Sequence, residues 1–216
     1  MRLRKVKHAK DLINDNPNII IHNPEKLKGI WMNVFKNTNP IQIEVGCGKG
    51  KFIYELAKKH PNINFIGIEK FDSVIVRALE KIIENPVENL KLIRIDAENI
   101  NSIFSAKEVD RIYLNFSDPW PKRRQAKRRL TSNKFLERYE LILKPNSLIK
   151  FKSDNYGLFE SSMMSFNNND KFIIKDICLN LYKNLPEDNI QTEFEKRFVE
   201  LGNPIYYIKV KYNEEV

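Results

Sequence analysis

The chain reads as an α/β protein built on a mostly parallel, seven-stranded sheet, with an antiparallel edge near its C-terminus and helices on both faces. Three observations predict this. Its 216 residues suffice for a core that buries about 70% of the unfolded chain's surface. Short runs rich in Ile, Val, Leu and Phe alternate with helical patterns, as in parallel sheets covered on both sides. The last two apolar runs are longer and alternating, which suits an antiparallel edge.

The elements follow in order. Residues 1–22 form a basic, Asn-rich N-terminal arm, and residues 23–216 a single domain, since no repeat and no Gly/Ser/Pro-rich linker interrupts them. Leu27, Ile30, Trp31, Val34 and Phe35 recur at helical spacing. Buried strands are predicted at Ile41–Val45, Ile63–Ile68, Leu90–Ile95, Ile112–Phe116 and Leu148–Phe151, with helices at 50–59, 72–84, 132–143 and 155–166. Phe172–Leu181 and Ile205–Tyr212 supply the antiparallel edge, with a short helix over 193–201.

Composition excludes several classes. With 42% apolar and 30% charged residues the chain is globular, not disordered. No apolar run approaches the roughly 18 residues of a membrane span. Asp11, Asn14, Asp15, Asn16 and Pro17 stand where a signal peptide would need its apolar stretch, so a cytoplasmic protein with no membrane partner is expected. Cys47 and Cys178 lack metal-ligand spacing, so neither a disulfide framework nor a metal site is predicted.

The formal charge of +9 is unevenly placed. Residues 1–10 hold Arg2, Arg4, Lys5, Lys7 and Lys10 with no acid, and residues 122–129 hold Lys122, Arg123, Arg124, Lys127, Arg128 and Arg129, again with none. The other 198 positions carry 26 basic and 28 acidic residues. Two cationic patches on a near-neutral body are the footprint of a polyanion-binding protein.

The first strand runs into Glu44-Val-Gly46-Cys-Gly48-Lys-Gly50, just before a helix. Glycines there permit a tight turn and let a ligand lie against the main chain. A dinucleotide fingerprint would need its third small residue at position 51, which is Lys51. The G-x-G-x-G pattern instead resembles that of class I S-adenosylmethionine-dependent methyltransferases. Glu69 follows the second strand, 23 residues after Gly46, where an acid accepts hydrogen bonds from ribose hydroxyls. Asp96 follows the third, where a carboxylate can accept from an adenine amino group. Cys47 reads as a small buried filler of the loop, not a nucleophile.

The fourth strand ends in Asn115-Phe-Ser-Asp118-Pro119-Trp120-Pro121-Lys122-Arg123-Arg124, continuing to Thr131. The prolines stiffen the turn, Trp120 offers a flat apolar face, and the cations suit phosphates on both sides of a presented base. This stretch, the glycine loop, Phe151-Lys-Ser-Asp154-Asn155, Thr192-Glu193-Phe194-Glu195 and Gly202-Asn-Pro204-Ile-Tyr206 together resemble the bacterial tRNA (guanine-N7-)-methyltransferase family over essentially the whole chain.

The resemblance implies a Rossmann-like class I methyltransferase fold; the oligomeric state, monomer or homodimer, stays open. The resemblance also implies transfer of a methyl group from S-adenosyl-L-methionine to N7 of guanosine 46 in the tRNA variable loop. By position it implies that Glu44, Gly46, Gly48, Gly50, Glu69, Asp96 and Asp118 serve the cofactor, with Asp118 the catalytic candidate. Lys122, Asp154, Thr192, Glu193, Phe194 and Glu195 would contact substrate, and Arg124, Gln125, Ala126, Lys127, Arg128 and Arg129 would form the RNA-interaction stretch. No metal is implied. Gln125 departs from the His that many members carry, without removing a carboxylate. Thr192-x-x-Glu195 is also a helix capping box, and Asp154 also suits a helix cap. Competing readings are the same chemistry on another RNA or guanine atom, a non-catalytic RNA-binding module and an NAD-dependent oxidoreductase.

The cationic patches make a prediction of their own. If they engage about six phosphates, RNA affinity should fall by roughly a few hundredfold for a fourfold rise in salt. A filter-binding titration across salt concentrations checks it, and salt-independent binding would remove the polyanion reading.

Overall fold

A computed structural model of the chain describes residues 9–214. These form two compact units, one running to Ser105 and one beginning at Ala106.

In the first unit, short apolar strands run parallel and helices cross between them. Its elements are α1 (Ala9–Asn14), β1 (Ile20–Ile21), α2 (Trp31–Phe35), β2 (Ile41–Val45), α3 (Lys51–Lys59), β3 (Asn64–Glu69), α4 (Asp72–Glu84), β4 (Leu90–Arg94) and α5 (Ile100–Ile103). The strand order is β1-β4-β3-β2, all parallel. Every residue of β2 is buried, the polar Gln42 and Glu44 included, as both faces of a central parallel strand are covered. Register places Glu44 opposite Gly67 and Glu69 opposite Arg94. The segments after β2, β3 and β4 therefore emerge at one sheet edge.

Two expectations change here. The predicted arm is structured from residue 9 onward. Ala9, Ile13 and Ile20 are buried, α1 packs against α4, and Ile20 and Ile21 pair with Leu92 and Ile93. β1 is thus an eighth strand among the described residues, too short to announce itself by periodicity. Arg2, Arg4, Lys5 and Lys7 of the predicted patch lie outside the described residues, and Lys10 is exposed. The helical spacing across 27–35 resolves into a 3-10 turn at Pro24–Leu27 and the separate α2, with Gly29 at φ 81° between them.

The second unit holds β5 (Val109–Asn115), α6 (Asn133–Ile142), β6 (Leu143–Ser153), α7 (Tyr156–Asn167), β7 (Phe172–Cys178), α8 (Glu193–Glu200) and β8 (Tyr206–Tyr212). β5 and β6 are parallel, while β8 runs antiparallel between β6 and β7. Burial explains why the last strand in sequence lies inside: β8 buries four of its seven residues, whereas β7 exposes four of its seven. β6 begins earlier than its apolar run suggests. Leu143 pairs with Val109, then the register shifts around Asn146 at φ 65° before Leu148 meets Arg111.

Trp31 anchors the first unit. It is 0% exposed, lies 5.7 Å from the Phe104 ring, and its Nε1–H donates to the Ile103 carbonyl at 2.8 Å. Trp31→Phe keeps most of the apolar body but orphans that carbonyl. The expected cost is about 1–3 kcal/mol, read as a lower urea midpoint with an unchanged denaturant slope.

Candidate functional site

The glycine loop is held largely through its backbone amides, most of them by the end of β3. Gly46 N–H and Cys47 N–H both donate to the Ile68 carbonyl, at 2.8 and 3.0 Å, and Gly50 N–H donates to Cys47 O at 2.9 Å. Gly50 opens α3 at φ 73°, where a Cβ would lie 2.5 Å from that of Ala78. A side chain there would push apart α3 and α4. Gly48 differs: at φ 59° a Cβ on it would meet nothing within 4 Å. That open space against exposed main chain is where a ligand can approach.

Glu69 is tied to the same loop. Its Oε2 accepts from Gly48 N–H at 3.2 Å, and its Oε1 accepts from Lys70 N–H at 2.8 Å and Phe71 N–H at 3.1 Å. Three backbone donors orient the carboxylate, and the longest of these bonds is the one to the loop. Asp96 caps the 3-10 turn Ala97–Asn99 by accepting from Glu98 N–H at 3.0 Å, while its Oδ2 pairs with the Lys70 ammonium. Glu44 is 2% exposed on β2. The sheet register gathers these three carboxylates at the edge that carries the loop.

Cys47 is buried among them. Burial first, then the charges of Glu44 and Glu69, push its thiol pKa well above the ordinary value. A Cβ on Gly67 would lie 3.0 Å from its sulfur, so the side chain fills space beside the loop. The thiol is protonated and enclosed, which agrees with a filler and not a nucleophile.

In the second unit the segment after β5 is bent at two non-glycine residues of positive φ, Phe116 at 50° and Trp120 at 40°. Each such residue costs on the order of 1–3 kcal/mol and persists only where neighbours enforce it. The enforcement is visible. Arg129 Nε donates to the Pro119 carbonyl at 2.9 Å and its Nη2 to the Trp120 carbonyl at 3.2 Å. The Arg128 guanidinium lies 5.0 Å from the centre of the Trp120 ring. Asp118 sits exposed on the loop so closed, followed by exposed Lys122, Arg123 and Arg124 and a 3-10 helix over Arg123–Arg128. Gln125 and Ala126 are half-buried within that helix, and Lys127 is exposed. Arg129, expected to face RNA, thus has part of its guanidinium committed to the loop.

The Thr192–Glu195 motif forms the capping box read from its spacing: Thr192 Oγ1 accepts from Glu195 N–H at 2.9 Å, and Glu195 Oε2 from Thr192 N–H at 3.3 Å. Glu195 itself is 0% exposed. Its carboxylate also accepts from Lys152 Nζ at 3.0 Å, from the Tyr182 hydroxyl at 3.0 Å and from Asn189 Nδ2 at 3.0 Å. A carboxylate has about four lone-pair sites, so this one is filled from within. Any effect of Glu195 on a substrate passes through Thr192, Glu193 and Phe194. Phe194 is 48% exposed on a stack with Phe198 and Phe116. The cap of α7 is Asn155, which accepts from Leu158 N–H at 2.8 Å, and not Asp154. Burial raises the Asp154 carboxyl pKa.

Among the described residues no helix is long and apolar enough to cross a membrane, and no cluster of three or more His, Cys, Asp and Glu side chains is placed to hold a metal. A family model described as "Putative methyltransferase" matches residues 38–208. A tRNA (guanine-N(7)-)-methyltransferase from Lysinibacillus sphaericus (strain C3-41) is 49% identical over 213 residues, covering 98% of each chain. The chain belongs to the tRNA (guanine-N7-)-methyltransferase family. Solved structures agree on the fold. An antibiotic-related methyltransferase superposes with a TM-score of 0.64 at 19% identity, covering 85% of this chain and 92% of that one. A variant 16S rRNA (adenine(1408)-N(1))-methyltransferase from Catenulisporales acidiphilia, solved with SAM, gives 0.63 at 14% identity, covering 90% and 93%.

As a member of this family the chain is an S-adenosylmethionine-dependent methyltransferase, and its residues fit that cofactor. The open face of Gly48 admits a ligand, and the edge carboxylates suit ribose and adenine donors. Sequence reasoning missed Lys152, Tyr182 and Asn189, whose polar groups meet Glu195 only in the fold. No local signal marked Lys152: it is one of three lysines on β6, and only the fold shows that it is buried. The clasp on the Asp118 loop is directly testable. Trp31 is buried, so acrylamide quenching reports on Trp120, the other of the two tryptophans. Arg129→Met should raise the quenching constant about twofold or more with little change in far-ultraviolet dichroism.

Proposed function

We propose that this chain methylates N7 of guanosine 46 in the variable loop of tRNA. The observation that carries this reading is the near full-length similarity to a tRNA (guanine-N7-)-methyltransferase, with the Asp118-Pro119-Trp120-Pro121-Lys122 and Thr192–Glu195 stretches in place.

When bound, S-adenosylmethionine supplies an electrophilic sulfonium methyl group. Guanine N7 has an in-plane lone pair and no proton to lose, so this chain needs no general base. Glu69, its carboxylate oriented by the Gly48, Lys70 and Phe71 amides, would hold the ribose hydroxyls. Asp96, steadied by Lys70, would accept from the adenine amino group. Glu44, buried at the end of β2, would serve the cofactor with them. Asp118, on a loop locked by Arg129, acts by position and charge, binding the guanine's donor edge or orienting the methionine part of the cofactor, while neighbouring carboxylates stabilise the purine as it becomes cationic. Lys122, Arg124, Lys127 and Arg128 meet phosphates, and exposed Phe194 offers an aromatic face to an unstacked base.

Incubation with unmodified tRNA and labelled cofactor, followed by mapping of the modified nucleotide, tests the assignment. Methylation elsewhere, or on another RNA alone, would overturn it. Asp118→Ala should lower turnover by about a hundredfold or more with tRNA affinity changed less than about threefold. The wild-type rate should be flat on the acid side of neutrality; a fall near tenfold per pH unit would reveal a base.

A further inference from the structure

Lys152 has no place in the roles described so far, yet it joins the two substrate-facing segments of the second unit. It is buried on β6, opposite Asn115 of β5 and Tyr207 of β8. Its carbonyl accepts from Phe116 N–H at 2.9 Å, at the first left-handed residue of the Asp118 loop. Its ammonium donates to Asn189 Oδ1, to the Ile190 carbonyl at 3.2 Å and to Glu195 Oε2 at 3.0 Å. An ammonium has three protons, and each has an acceptor in the segment leading into α8 or in its first turn. Phe116 also stacks on Phe198 of α8 at 6.0 Å, a second bridge between the same two segments.

Resting on the reading of this chain as a tRNA methyltransferase, we propose that Lys152 is a positioning residue. It locks the Asp118 loop and the Thr192–Glu195 motif into one rigid body, so that the residues presenting the guanine and those holding the RNA beside it move together. Stability alone does not explain such a residue. Burying two charges costs about as much as their attraction returns, and apolar side chains of similar volume do as well or better. What an apolar residue does not supply is three directed donors from one strand to a segment about 40 residues further along the chain.

The double variant Lys152→Met with Glu195→Gln removes both charges together, fills about the same volume and leaves one carbonyl oxygen to accept from Tyr182 and Asn189. It should melt within a few degrees of the wild type and bind S-adenosylmethionine with unchanged affinity by calorimetry. Its kcat on tRNA should fall tenfold or more, with a smaller change in KM. A folded variant losing less than tenfold in kcat overturns the proposal. The wild type supplies a second test that does not need the variant to fold. In native-state hydrogen exchange, the amides of Phe116 and Thr192 should share one opening free energy and one denaturant dependence; separate openings overturn it. A wild type inactive on tRNA would instead refute the proposed function, and the exchange measurement would then decide the role of Lys152 alone.

Discussion

Parallel pairing delivers the ends of neighbouring strands to the same edge, and each unit depends on that constraint. In the first, β2, β3 and β4 run side by side in fixed register. Glu44, the glycine loop, Glu69 and Asp96 are distant in sequence but adjacent because three strands end together. In the second, β5 and β6 pair from Val109 to Lys152, so the Asp118 loop and Asp154 leave from one edge. A slip of one residue would turn each of these groups to the opposite face.

The loops at those edges are rigid for different reasons. The glycine loop is pinned by its amides to Ile68 and Glu69 at the end of β3 and keeps one open face, at Gly48, for a ligand. The Asp118 loop holds two residues in a left-handed conformation that bulky side chains avoid. Arg129 and Arg128 restrain it, one by hydrogen bonds to consecutive carbonyls and one by stacking on Trp120. The basic cluster thus does two jobs. Lys122, Arg123, Arg124 and Lys127 lie exposed for a polyanion, while the last two arginines help shape the loop that presents Asp118.

Charge is also used where no solvent reaches. Glu195 is enclosed by Lys152, Tyr182, Asn189 and the Thr192 amide. Burial, together with the charge of Glu195, pushes the Tyr182 hydroxyl pKa up to about 12, so it stays a donor at neutral pH. A fully bonded buried network of this kind specifies one geometry for its members, and partial loss is costly because the remaining charge is left without compensation.

The sequence by itself determined the elements whose signal is local. Ile41–Val45 and 72–84 are predicted with their observed bounds, the glycine loop falls at the strand-to-helix turn, and the capping box follows from a four-residue spacing. Periodicity and caps depend on neighbours within a few positions, so a linear reading finds them. Only the tertiary structure decided the rest. β1 is strand because β4 offers it a partner, and β8 lies inside β7 because its side chains bury better. Glu195, named as a substrate contact by its place in a motif, is sealed in the first turn of α8 by a lysine on β6. Arg129, one cation in a run, spends its guanidinium on carbonyls about ten residues back. Those outcomes turn on which donors and acceptors meet through space, and no local pattern records that.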